Sequence, residues 1–243
     1  MTNDSESNPY ILQNSEINEL SIFDRYYSRR DTLDLFGSVS NCRILDAGCG
    51  AGKYAFDLSQ AGVHVVGIDN DGQALERAKS LAGATVDFHK ADLTEPLTFL
   101  EPRSFDAVLC SLVLHYIENW SMPLTEFNNL LKPRGQLVVS VHHPFSDYFD
   151  AGSKSYFETE PWYSGHADRP FWRRPLEEIM ASIADAGFAL DTIREPRPCA
   201  DPTGTIADLP RLLVIRALRK LLLGHWVSFH ISDGSYVRGF ATV

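Results

Sequence analysis

The stretch Ile44-Leu45-Asp46-Ala47-Gly48-Cys49-Gly50-Ala51-Gly52 constrains the fold of this chain more than any other. An apolar run ends in Asp46 and enters a loop with glycine at every second position. With no Cβ in the way, the backbone of such a loop comes close to a nucleotide-like ligand. Lys53 to Gln60 is predicted to open a helix whose free N–H groups face that ligand. A second acid, Asp69, closes the next apolar run, Val63-His64-Val65-Val66-Gly67-Ile68. It stands 21 residues after Gly48, near the ~20-residue offset at which an acid reaches a ribose hydroxyl. Loop, helix and acid-ended second strand together point to an adenosine-type cofactor.

The rest of the chain fits one α/β domain. Apolar runs alternate with helical patterns, which implies βαβ units and a mostly parallel sheet. The expected strands are 43–46, 64–69, 85–89, 105–112, 136–142, 189–195 and 212–217. The last of these also suits a helix, which periodicity does not settle. Helices are expected over 72–81, capped by Asn70 or Asp71, over 123–131 and over 175–186. The fold expected is α/β, doubly wound, with a mostly parallel seven-stranded sheet. Residues 1–40 read as a leading helical segment, 41–220 as the main domain, and 221–243 as an extension of unknown role. In that extension Asp233-Gly234 is a hairpin signal.

Glycine spacing separates two cofactors. Dinucleotide enzymes read G-x-G-x-x-G, whereas Gly48, Gly50 and Gly52 give G-x-G-x-G followed by Lys53. Led by Asp46, this pattern resembles that of class I S-adenosylmethionine-dependent methyltransferases. The resemblance continues through Val66-Gly67-Ile68-Asp69-Asn70, Lys90-Ala91-Asp92-Leu93, Ser104 to Tyr116 with Ser111 at the strand end, and Lys132-Pro133-Arg134-Gly135. It covers residues 40–145 with its motifs in order. Later stretches, such as Ser140-Val141-His142-His143-Pro144-Phe145, resemble a bacterial group of small-molecule methyltransferases.

The resemblance implies S-adenosyl-L-methionine as cofactor and assigns residues to it. Gly48, Cys49 and Gly50 pass close to the methionine part, and Asp46 holds the loop from beneath. Asp69 binds the ribose hydroxyls, Asn70 lies beside the adenine, and Ala91, Asp92 and Leu93 form the adenine edge. Ser111 lies at the exit of the fourth strand. This cofactor carries no phosphate, so a third, helix-packing glycine has less to do. The leading segment, with Tyr27, folds over the site.

Methyl transfer is an in-line displacement, and alignment supplies much of its rate. A hydroxyl acceptor also needs a base, which histidine suits. His143 and His142 are the first candidates, and strand alternation turns only one of them to the pocket. His115 is the third. For each the alternative is a structural ring that fixes a turn. Residues 145–172 carry nine aromatics, about one third of the segment against 11% overall. They read as an irregular cap over the acceptor. Phe145, Tyr148, Tyr156 and Trp162 are candidate acceptor walls, and Arg173 a candidate polar contact. Glu158, Glu160, Arg173 and Arg174 can also form a solvated rim.

A formal net charge of −10 gives no general attraction to nucleic acid. The partner expected is a small-molecule acceptor, with no nucleic acid and no membrane. A homodimer stays open. No C-x-x-C pair or other metal-ligand spacing occurs among the four cysteines, so no metal is expected. Their reduced state and the polar first residues fit a cytoplasmic protein. Rival readings are a methyltransferase acting on RNA or protein, a nicotinamide oxidoreductase, and a non-catalytic S-adenosylmethionine-binding module.

Overall fold

A computed structural model of the chain describes residues 29–151, 155–163, 170–197, 210–220, 225–230 and 236–241. Its strands are β1 (Arg43–Ala47), β2 (His64–Asp69), β3 (Val86–Lys90), β4 (Phe105–Ser111), β5 (Leu131–His142), β6 (Glu160–Trp162), β7 (Phe171–Arg173), β8 (Phe188–Arg194), β9 (Leu212–Arg219), β10 (His225–His230) and β11 (Tyr236–Ala241). Its α-helices are α1 (Arg29–Leu33), α2 (Lys53–Gln60), α3 (Gly72–Ala82), α4 (Ser121–Leu130), α5 (Pro144–Ala151) and α6 (Leu176–Asp185).

Seven strands form one sheet in the order β3-β2-β1-β4-β5-β9-β8. β3, β2, β1, β4 and β5 pair in parallel, while β9 runs antiparallel to both β5 and β8. The doubly wound, mostly parallel sheet expected from the sequence is the one observed. Its central strands are apolar at successive positions because both faces are covered. Along β1, Ile44 packs in one core and Leu45 in the other. Along β5, Leu137 and Val139 go to one core and Val138 to the other. This period of two separates the layers.

Two departures from the sequence reading have physical causes, and between them the strand expected at 212–217 forms where a helix was the alternative. β5 starts at Leu131, immediately after α4, rather than at Gln136. Leu131 pairs with the fully buried Phe105, so the chain is already extended before the Lys132–Gly135 turn, which sits inside β5 as a register shift. Residues 212–219 are a strand, because β5 and β8 hydrogen-bond them on both sides. The segment 145–172 is not irregular: it holds α5 and an antiparallel β6–β7 hairpin. Phe171-Trp172-Arg173 alternates buried, half-buried, buried, which is a strand signal. β10 and β11 form a separate two-stranded sheet, and the Asp233-Gly234 turn lies outside the described residues.

Gly52 joins the first loop to the helices behind it. Its φ is +79°, and a Cβ there would lie 2.7 Å from Ala78 Cβ and 3.0 Å from the Ala78 Cα in α3. A third, helix-packing glycine is therefore present after all. Gly52→Ala is expected to lower stability by about 1–3 kcal/mol, the usual cost of overpacking against a rigid helix. Chemical denaturation measures it, and an unchanged midpoint contradicts this packing role.

Candidate active site

The donor half of the site is built at the carboxyl ends of β1 and β2. The Gly48 and Cys49 amides donate to the Ile68 carbonyl at 2.7 and 2.9 Å. Gly50 N–H donates to Asp69 Oδ2 at 2.8 Å, and Asp71 N–H donates to Asp69 Oδ1 at 2.8 Å. Asp69 thus fixes both the glycine loop and its own turn. A carboxylate has about four acceptor positions, so each oxygen keeps one for a further donor. Asp71 in turn caps α3 by accepting from Gln73 N–H.

The glycines divide their work. A Cβ on Gly48 would lie 2.3 Å from Val113 Cγ2, so the loop after β4 presses on it. Gly50 has φ +51°, and a Cβ there meets nothing within 4 Å. The open approach lies at Gly50, while protein already fills the Gly48 side. Cys49 is buried, and burial, reinforced by Asp46 and Asp69, pushes its thiol far above the ordinary range. A protonated thiol there is chemically inert.

Asp46 sits at the foot of the loop with 1% exposure. It accepts from the Ala55 amide in the first turn of α2, while Oδ2 has no hydrogen-bond partner among the described residues. Burial, and then the neighbouring charge of Asp69, raise its pKa to about 7. An uncompensated buried acceptor beside a second carboxylate is costly by itself. It suits a ligand that brings a cationic donor. S-adenosylmethionine, with an ammonium and a ribose, fits this set of residues.

Just past β3, Ala91 N–H donates to the Asp69 carbonyl at 3.0 Å. Asp92 Oδ1 accepts from Thr94 N–H and Oγ1, and Asn70 Nδ2 lies 3.5 Å from Asp92 Oδ2. Asp92 therefore caps its own turn and also lies beside Asn70. The Leu93 side chain is in the core.

A second cluster, the candidate acceptor side, lies at the ends of β4 and β5. Ser111 Oγ and Ser140 Oγ form a buried 2.7 Å hydrogen bond between the two strands. Leu112 follows with φ +55°, uncommon for a bulky residue. It starts a loop that carries His115 in a short 3-10 turn, Leu114–Tyr116. The His115 and His142 rings stack at 4.2 Å with an 18° interplanar angle. Phe171 of β7 lies 5.1 and 5.3 Å from them, and Trp162 of β6 lies 5.5 Å from Phe171. The two imidazoles border a cavity of about 10 Å³, lined among others by Trp120, Trp172 and Arg174. That volume holds about one water molecule.

The two adjacent histidines separate. His143 Nδ1 accepts from Phe145 N–H at 3.2 Å, and its Nε2 lies 2.8 Å from Glu195 Oε1. An accepting Nδ1 leaves Nε2 as the donor to Glu195. His143 therefore ties the start of α5 to the chain after β8, and it is His142 that meets His115.

The candidate acceptor walls also separate. Phe145 is exposed at 44%, and Trp162 is half-buried behind Phe171. Tyr148 packs edge-on to Tyr156 at 6.1 Å, and the Tyr156 hydroxyl accepts from Leu176 N–H at 3.0 Å. Arg173, a candidate polar contact for the acceptor, is turned into the protein. It is 1% exposed and donates to the Ser155, Tyr156 and Glu158 carbonyls and to Glu160. Its cross-strand position opposite Glu160 turns it into the loop 155–160. Tyr27 lies outside the described residues. Trp120 and Glu195 had no chemical role in the sequence reading. Their partners are 6 and 52 residues away, across loops that spacing does not describe.

The methyltransferase domain family matches residues 38–168. A ubiquinone biosynthesis O-methyltransferase from Dechloromonas aromatica is 36% identical over 115 residues, which is 46% of this chain and 49% of the relative. The match spans about half the length of such relatives. Among solved structures, an S-adenosylmethionine dependent methyltransferase from Mesorhizobium loti has a TM-score of 0.69 at 24% identity, over 78% of this chain and 96% of its own. The 1,6-didemethyltoxoflavin-N1-methyltransferase of Burkholderia thailandensis, bound to 1,6-didemethyltoxoflavin and S-adenosylhomocysteine, has a TM-score of 0.60 at 19% identity, covering 82% and 81%. Both share the fold. With more than half of its length matched, the chain belongs to the methyltransferase domain family, among the class I S-adenosylmethionine-dependent methyltransferases.

Proposed function

We propose that the protein methylates a hydroxyl group of a small planar organic molecule. The observation that carries this is the stacked His115–His142 pair, 4% and 9% exposed, beneath the α5 and β6–β7 cap. A buried pair beneath a cap suits a molecule that can be enclosed, not the surface of a protein or RNA. The net charge of −10 supports the same choice. Aromatic rings on several sides favour a planar acceptor. The O-methyltransferase relatives act, by name, in ubiquinone biosynthesis, which agrees with an oxygen acceptor.

The chain's own residues then have the following duties. Asp69 and the Gly50 backbone hold the ribose side of the donor, and Asp46 holds its ammonium. Asn70, Asp92 and the Ala91–Leu93 backbone border the adenine. When bound, S-adenosylmethionine supplies a methyl group on an already positive sulfur. His142, or His115 stacked on it, takes the proton of the acceptor hydroxyl as its oxygen forms the new bond. Phe171 and Trp172 hold the acceptor ring in line and exclude water. A nitrogen acceptor that is already neutral needs no such proton transfer, so two buried imidazoles favour oxygen.

The test is a screen of phenols, catechols, heteroaromatic amines, tRNA and protein extract, read as S-adenosylhomocysteine release. Release with hydroxylated aromatics supports the proposal. Release with tRNA or protein alone overturns it. Tight donor binding with no release for any class favours a non-catalytic module.

Asp46 makes donor binding pH-dependent. Its folded value of about 7 lies above the unfolded value of ~3.9. Across that interval the folded protein keeps a proton that the unfolded chain has released. Asp46 therefore costs the fold progressively more as pH climbs from ~4 to about 7, and no more beyond. A cationic donor favours the ionised acid, so donor affinity should rise with pH up to about 7 and then level. The slope is at most ~tenfold per pH unit. Asp46→Asn should flatten the profile between about pH 5.5 and 7, below the ~7.7–8 where the donor's amine titrates. Calorimetric titration across this range checks it, and an equal slope in the variant refutes the linkage.

A further inference from the structure

We propose that Arg174 is a positioning residue, a strap that ties the β6–β7 cap to the β4 exit loop and so holds His115 against His142. The catalytic meaning of that pair rests on the function proposed above; the strap itself does not. Arg174 is 3% exposed and lies just past β7, three residues after the Phe171 ring that touches both imidazoles. Its guanidinium donates to the Glu118 carbonyl at 2.6 Å and to the Ile117 carbonyl at 3.4 and 3.5 Å. Its Cζ lies 4.3 Å from the centre of the Trp120 ring. Trp120 Nε1 donates to the Leu114 carbonyl at 2.7 Å and to the Ile117 carbonyl at 3.1 Å. Leu114 immediately precedes His115. Nε of Arg174 closes onto Glu178 of α6 at 3.3 Å.

The cap thus grips the loop at two points. Phe171 touches the rings, and Arg174 holds the backbone that carries one of them. The other end of the same loop presses Val113 onto Gly48 in the donor half. Arg173, the neighbouring residue, has a different target: it binds the carbonyls of 155, 156 and 158 within the cap. Two adjacent arginines therefore fasten two different segments. Lysine cannot replace Arg174, because an ammonium has no planar fork to stack on the indole while donating sideways to two carbonyls.

Hydrogen exchange and histidine ring NMR on the S-adenosylhomocysteine complex test the strap without any acceptor. In Arg174→Lys, amides of residues 112–118 are expected to exchange at least about tenfold faster. The His115 and His142 ring signals should shift together, and affinity for S-adenosylhomocysteine should hold. In Arg173→Lys the faster exchange should fall on residues 155–160, with both ring signals unmoved. Folded Arg174→Lys with unchanged ring signals and unchanged 112–118 exchange overturns the proposal. Should that variant not fold, Trp120→Phe takes its place. It keeps a ring beneath the guanidinium and removes only the Nε1 bonds to Leu114 and Ile117, so the same shifts are expected and their absence is equally fatal. A positive result with no acceptor found would leave the strap standing and count against the function alone.

Discussion

Asp69→Ala is expected to weaken S-adenosylhomocysteine binding on the order of 10²- to 10⁴-fold, the sum of two charged hydrogen bonds at ~1.5–3 kcal/mol each. The reason is that Asp69 does two jobs with one group. Its oxygens accept from the Gly50 and Asp71 amides, which sets the shape of the glycine loop and of the β2 exit. In the function proposed above, its remaining acceptor positions take the ribose hydroxyls. Asp69→Asn tests the same group more finely. The amide keeps one acceptor oxygen and points an NH2 at the other backbone N–H, so affinity should still fall steeply. Removing the charge also acts on Asp46, whose pKa the charge of Asp69 helps to raise. The pH at which donor affinity levels should therefore move down in Asp69→Asn. Calorimetry on folded protein reads both effects, and wild-type affinity in Asp69→Ala removes this residue from the site.

The donor half was legible because it is local. Asp46, the three glycines and Asp69 lie within two adjacent parallel strands and their exits, and glycine spacing alone separated the cofactors. Even there, sequence did not show that Val113 would fill the Gly48 side or that Gly52 would pack on Ala78. Both contacts come from elements distant in the chain. The acceptor half was less legible for the same reason. His115, His142, Phe171 and Arg174 meet across a span of about sixty residues that holds α4, β5, α5 and the β6–β7 hairpin. Aromatic content marked residues 145–172 as a cap, yet the helix and hairpin inside it were missed. Two identical neighbours make the point most sharply: Arg173 and Arg174 have the same letter, but Arg173, the last residue of β7, binds within the cap, while Arg174, just past the strand, binds the β4 exit loop.

Strand alternation governs the second large effect. Sequence placed His142 and His143 together and allowed one of them to face the pocket; β5 register selects His142. His142→Ala should lower turnover on an identified hydroxyl acceptor by the ~10²–10⁴-fold typical of a lost general base. Donor affinity should stay close to wild type, because this ring packs on His115 and Phe171, away from the glycine loop and Asp69 in the chain. His143→Ala should behave in the opposite way. It removes the Glu195 pair and the acceptor for Phe145 N–H, which fix the start of α5. Its cost is expected in stability, at about 1–3 kcal/mol, with turnover per folded molecule largely kept. His142→Gln separates base loss from cavity formation, since it fills the space without taking the proton at a useful rate. Single-turnover rates beside thermal melts give the comparison. Equal losses of turnover in His142→Ala and His143→Ala would mean that packing at the end of β5, not proton transfer by one imidazole, limits the reaction. Full activity in both His142→Ala and His115→Ala would leave alignment alone to carry the rate and would move the acceptor away from oxygen.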